Sequence, residues 1–92
     1  MVNIKSHKIP NSLKRYRKAR RLRQKDVAMI LELKNTSMIS RWEKGIFLPN
    51  TINIFKLAII YRTMVDALFP DLLNTLRSDV QKRENKALKC KE

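Results

Sequence analysis

Apolar residues recur along the chain at three- and four-residue intervals, and no stretch alternates with period two, so the pattern predicts helices throughout. Leu13, Tyr16 and Leu22 mark a first segment over 12–22, behind Asn11-Ser12, either of which can cap it. Val27, Ala28, Ile30, Leu31 and Leu33 mark a second over 24–33. The polar run Lys34-Asn35-Thr36-Ser37 then supplies a turn and N-caps for a third, at about 36–44, whose apolar positions are Met38, Ile39 and Trp42. Gly45 follows, where a helix would end in a left-handed residue. Phe47-Leu48-Pro49 reads as an extended connector, since the residue before proline avoids the helical basin. Asn50 or Thr51 caps a fourth helix to about Tyr61, a short turn of helix covers 65–69, and Pro70 suits the first position of a last helix over 70–84. That helix carries the stripe Leu72, Leu73, Leu76 and Val80. The pattern predicts a compact all-α domain of about five helices plus tails.

Composition sharpens this in one respect above others. The 92 residues suffice for one domain with one small core, and 43% apolar content suits a globule rather than a disordered chain. Charge is the unusual feature: 21 Lys+Arg against 8 Asp+Glu give +13, which points to a polyanionic partner, nucleic acid or an acidic membrane surface. Residues 1–25 hold ten Lys/Arg and no acid, whereas ordinary solvated surface mixes the two signs. A second basic stretch, Lys82–Lys91, is broken by Glu84 and has little that could pack, so 85–92 reads as a disordered tail.

Most catalytic chemistry is excluded by what occurs only once. The lone Cys90 allows neither an internal disulfide nor a Cys-rich metal site, and sets a reducing compartment, the cytoplasm, as the default. The lone His7 removes any paired-histidine metal site, and the lone Gly45 removes the glycine-rich phosphate-binding loops. The longest apolar runs, Val27–Leu31 and Leu57–Tyr61, are far too short to span a membrane, and residues 1–10 lack the apolar centre of a secretory signal. The expectation is a cytoplasmic binding protein, not an enzyme, with no cofactor, no metal and no membrane partner.

Residues 24–45 carry the more specific signal. Two short helices meet across a polar turn, with small Ala28 where they would cross closely. Ile39 and Trp42 lie three apart and share one face, so they can anchor the second of these helices in a core. Thr36, Ser37, Ser40, Arg41 and Lys44 then face outward, a set of hydroxyls and cations suited to base edges and phosphates. The pattern Gln24-x-x-Val27-Ala28, Ile39-Ser40-Arg41-Trp42-Glu43-Lys44-Gly45, Leu48-Pro49 and Lys56-Leu57-Ala58 resembles the Cro/phage-repressor (XRE-like) helix-turn-helix family over about residues 12–69.

The resemblance implies a five-helix lambda-repressor-like domain over 12–69. A basic arm (1–11) precedes it, and a C-terminal helix (70–84) for packing or dimerisation follows. The third helix would enter the major groove of double-stranded DNA. Thr36, Ser37 and Arg41 match the base-reading positions, while Arg23, Gln24, Lys25, Asn35, Ser40 and Lys44 match positions at the backbone or groove wall. Thr36 and Ser37 equally suit a plain capping role. Arg17 and Glu43 correspond to an ion pair tying the first helix to the end of the third. Three features depart from the family pattern: a turn one residue longer, Glu32 where glycine is usual, and Arg23 in place of a Ser/Thr cap. A left-handed Glu32 would cost about 1 kcal/mol.

Ile52, Ile59, Leu72, Leu76 and Val80 are apolar beyond what the family needs. Either the last helix folds back over Ile52 and Ile59 within one molecule, or these residues build a homodimer; relatives on palindromic operators favour the second. The expected function is a sequence-specific transcriptional regulator, a repressor, of a prokaryotic cell, phage or mobile element. The alternatives are an antitoxin-type autoregulator with a toxin partner, and a basic RNA-binding protein using residues 1–25.

Overall fold

A computed structural model describes residues 8–90. It is helical, with α1 Leu13–Ala19, α2 Gln24–Ile30, α3 Ser37–Glu43, α4 Thr51–Tyr61, α5 Val65–Leu68 and α6 Pro70–Cys90, and no strand occurs among the described residues. The first five helices enclose one core. Leu13 of α1, Val27 and Ala28 of α2 with Leu31 just after it, Ile39 and Trp42 of α3, Leu57, Ala58 and Tyr61 of α4, Leu68 of α5 and the following Phe69 are its buried members. Val27, Ala28 and Leu31, like Ile39 and Trp42, lie at helical spacing, so one face of α2 and of α3 is drawn inward and the other left to solvent.

Four helices end in the same way, and only one uses glycine. After α1, α2, α3 and α4 the chain turns left-handed at Arg21 (φ 58°), Glu32 (φ 58°), Gly45 (φ 77°) and Arg62 (φ 53°). In each case two backbone N–H groups fold back onto the last carbonyls: Glu32 and Leu33 donate to Met29 and Ala28, and Gly45 and Ile46 to Trp42 and Arg41. These paired bonds satisfy carbonyls that a helix end otherwise leaves open, which holds arginine and glutamate in a conformation that is costly for an L-residue. The turn between α2 and α3 therefore keeps the left-handed bend without its glycine. Between α2 and α3, the Asn35 side-chain oxygen accepts from the Ser37 N–H at 2.9 Å.

Gly45 is required for a second reason. A Cβ there would lie 2.4 Å from the Ile9 carbonyl oxygen and 2.8 Å from the Ile9 nitrogen. This close approach lets the Ile9 N–H donate to the Gly45 oxygen at 2.9 Å. The Asn11 amide donates to the carbonyls of Trp42 (3.1 Å) and Glu43 (3.4 Å), while its oxygen accepts from the Leu13 N–H. Residues 9–11, expected to belong to a separate basic arm, are thus fastened to the end of α3. The earlier part of that arm, with His7, and residues 91–92 lie outside the described residues.

The last helix differs most from expectation. It runs to Cys90, so 85–90 is helix where a disordered tail was expected, because Glu84-Asn85-Lys86-Ala87-Leu88-Lys89 contains neither glycine nor proline and mostly strong helix formers. No residue of α6 is buried. Leu72 packs against the core and Leu73 is half-buried, but Leu76 and Val80 are 51% and 53% exposed. Ile52 and Ile59 are 62% and 75% exposed, so α6 does not fold back over α4. An unbroken 21-residue helix starting at Pro70 has no hinge at which to return. It stretches the molecule to 54 × 29 × 20 Å.

Candidate nucleic-acid interface

The outward face of α3 follows from what its inner face does. Ile39 and Trp42 are buried in the core, so Ser37, Arg41 and Lys44 are exposed, with Thr36 and Ser40 half-buried at their margin. Among the described residues the Thr36, Ser37 and Ser40 hydroxyls make no hydrogen bond. Thr36 stands at the N-cap position without a side-chain cap bond, and Asn35 serves the Ser37 N–H instead. The plain capping role weighed for Thr36 and Ser37 is therefore filled by a neighbour. The Arg41 guanidinium lies 6.0 Å from the centre of the Phe47 ring, a cation–π distance that limits its freedom. Phe47 was legible only as part of an extended connector; its place under Arg41 depends on the left-handed turn at Gly45.

Behind this face, Arg17 and Glu43 are brought together. Arg17 Nε donates to Glu43 Oε2 at 2.6 Å and Nη2 to Oε1 at 3.1 Å, while Nη1 donates to the Leu22 carbonyl at 2.9 Å. The two side chains are only 10% and 5% exposed. Gln24 Nε2 adds a bond to Glu43 Oε1 at 3.0 Å, so the start of α2, the last turn of α1 and the end of α3 converge on one carboxylate. Hydrogen bonding to Glu43 raises the Arg17 pKa above its ordinary value, against the opposing effect of burial. Burial and the nearby Glu43 charge push the Tyr61 phenol well above its usual range. Gln24, matched by the resemblance to a backbone-contact position, thus has its amide nitrogen already engaged within the protein.

Arg23 is engaged as well. Its guanidinium pairs with Asp26 at 3.1 Å but stays three-quarters exposed. Asp26 Oδ2 also accepts the Arg23 backbone N–H at 2.8 Å, which serves the helix start from the carboxylate side in place of a Ser/Thr cap. Both bonds, the side-chain one foremost, hold the Asp26 carboxyl below the usual range. Lys25, Asn35 and Lys44 are exposed. So are Lys14, Arg15, Lys18, Arg20 and Arg21, which form a dense cationic tract over α1 and the following turn. Among the described residues no group of three or more His, Cys, Asp or Glu is placed to hold a metal ion, and no helix is long and apolar enough to cross a membrane.

The arrangement offers hydroxyls and a guanidinium on one short helix, held against the core by two large apolar residues and braced by a buried ion pair. Such a helix can present hydrogen-bonding groups to base edges, while the surrounding cations meet phosphates. A family model described as helix-turn-helix matches residues 13–66, which span α1 to the start of α5. No curated protein and no solved structure matches the chain. With more than half of its length matched, and with the bent pair α2–α3 at the centre of the match, the chain belongs to the Cro/C1-type (XRE) helix-turn-helix family of DNA-binding regulators.

Proposed function

We propose that the protein is a sequence-specific repressor that binds double-stranded DNA as a homodimer, with α3 in the major groove. The observation that carries this reading is the polar face of α3, where Ser37 and Arg41 are exposed and the Ser37 hydroxyl and Arg41 guanidinium make no hydrogen bond among the described residues. In this reading Thr36, Ser37 and Arg41 contact bases, Arg41 to guanine being the strongest single contact, at about 1–3 kcal/mol of discrimination. Asn35, Ser40, Lys44, Lys25 and the outer edge of Arg23 contact backbone or groove wall, and Gln24 acts through Glu43. The protein acts by occupancy and carries out no catalysis. If about six cations meet phosphates, log affinity falls with log salt at a slope of about −5.

The test is selection of bound duplexes from a random pool at physiological salt, with wild type and Arg41→Ala in parallel and structured RNA as competitor. A symmetric motif, relaxed at one position per half-site in the variant, is the expected result. Absence of any motif, with both proteins binding equally, would replace this reading by a non-specific or RNA-binding one.

A further inference from the structure

Helix α6 leaves its solvent face unexplained. All of its residues from Asn74 to Cys90 are exposed, yet they are not uniformly polar. Leu73, Leu76, Val80, Arg83, Ala87 and Cys90 follow each other at intervals of three and four, which places them on one seam of the helix. The seam is large at its start and small at its end. Its start is continuous with an apolar cavity of about 150 Å³ in which Leu73 and Leu76 stand beside Phe69, Val65 and Ile54.

Charges flank this seam in a definite order. Arg77 and Glu84 lie along one side, Asp79 and Lys86 along the other. If two copies of α6 paired in parallel, Asp79 of one would face Glu84 of the other, a like-charge contact repeated twice by symmetry. If they paired antiparallel, Arg77 would face Glu84 and Asp79 would face Lys86, again each twice, and all four contacts would be attractive. The seam agrees with the charges. Antiparallel layers match Leu73 with Cys90, Leu76 with Ala87 and Val80 with the aliphatic stem of Arg83, so that large residues meet small ones.

We infer that α6 is the dimerisation element and that it pairs antiparallel with α6 of a second copy, centred between Gln81 and Lys82. This inference rests on the homodimer of the proposed function and specifies how it is built. The small end of one α6 packs over the apolar cavity of the other copy. At about 1.5 Å per residue, the two Pro70 positions then stand about 35 Å apart along the helix axis, the length of one turn of duplex DNA.

Charge reversal tests both the interface and its direction. Arg77→Glu, Glu84→Arg and the double variant would be compared with wild type by sedimentation equilibrium without DNA, with circular dichroism confirming equal helix content. Neither residue touches the core, so all four proteins fold. The expected result is a wild-type dimer whose dissociation constant rises about tenfold in each single variant and returns to within about twofold of wild type in the double variant. A tighter dimer in Glu84→Arg would show the parallel arrangement, because the introduced guanidinium would then meet Asp79 of the other copy, and would overturn the inference. So would a dimer indifferent to all three changes, or a wild type still monomeric at about 100 μM. Because self-association is read without DNA, these outcomes are independent of the duplex selection, which tests base recognition by α3.

Discussion

The buried pair Arg17–Glu43 permits a quantitative test of what braces α3. Replacing Glu43 by leucine removes both bonds that the carboxylate makes to Arg17 and the one it accepts from Gln24, leaving a guanidinium only 10% exposed with the Leu22 carbonyl as its remaining partner. Stranding a charge in this way costs about 3–5 kcal/mol. Replacing Arg17 by methionine strands the carboxylate instead and costs a similar amount. In the double variant Arg17→Met/Glu43→Leu no charge remains, both ends of the Arg17–Glu43 bonds are gone, and only the Leu22 carbonyl and the Gln24 amide are left without a partner, at about 1 kcal/mol each. The double variant is therefore expected to lie within about 2 kcal/mol of wild type and to be more stable than either single variant. Urea unfolding at neutral pH, followed by the fluorescence of the buried Trp42, measures all four proteins on one scale. Single variants losing less than about 1 kcal/mol, or a double variant as unstable as the sum of its parts, would refute the claim that the pair is buried and mutually dependent.

Other consequences follow from the helix ends and from Tyr61. Glu32→Gly is expected to stabilise the domain by about 0.5–1 kcal/mol in the same urea assay. It relieves a left-handed L-residue and removes an anion from the negative end of α2, against the added freedom of glycine in the unfolded chain. Gly45→Ala is expected to do the reverse and cost more than about 2 kcal/mol, since its Cβ meets the Ile9 backbone at 2.4 Å in addition to the unfavourable φ. The Tyr61 pKa is raised in the folded state, so its contribution to stability is complete below the ordinary phenol value near 10 and is lost as pH rises above it. Unfolding measured between pH 9 and 11 should show stability falling with pH, and Tyr61→Phe should flatten that fall; an unchanged slope would mean that the phenol is not buried in its neutral form.

By itself, the sequence determined the helical class, the order of the elements and the identity of the inward faces. Each of these depends on periodicity or on a local stop signal: Ile39 and Trp42 had to share a face, Pro49 and Pro70 had to bound helices, and Asn50 caps α4 by accepting the Asn53 N–H at 2.8 Å. Gly45 was legible as a helix stop, but only the tertiary structure supplied its second requirement, since Ile9 lies 36 positions away in the chain. Arg21 and Arg62 carried no left-handed signal, and Glu32 was marked only by the family resemblance, because paired backbone bonds rather than residue type hold all three there. The same holds for the site. Residue types marked Ser37, Arg41 and Lys44 as groups suited to DNA, whereas the engagement of Gln24 by Glu43, of Arg23 by Asp26 and of Arg41 by Phe47 required the helices to be placed in space. The fate of α6 was decided at the same level. Its stripe called for an apolar partner; the core meets it at Leu72, but an uninterrupted helix leaving the domain at Pro70 carries Leu76 and Val80 beyond the core, so that part of the face stays open to another molecule.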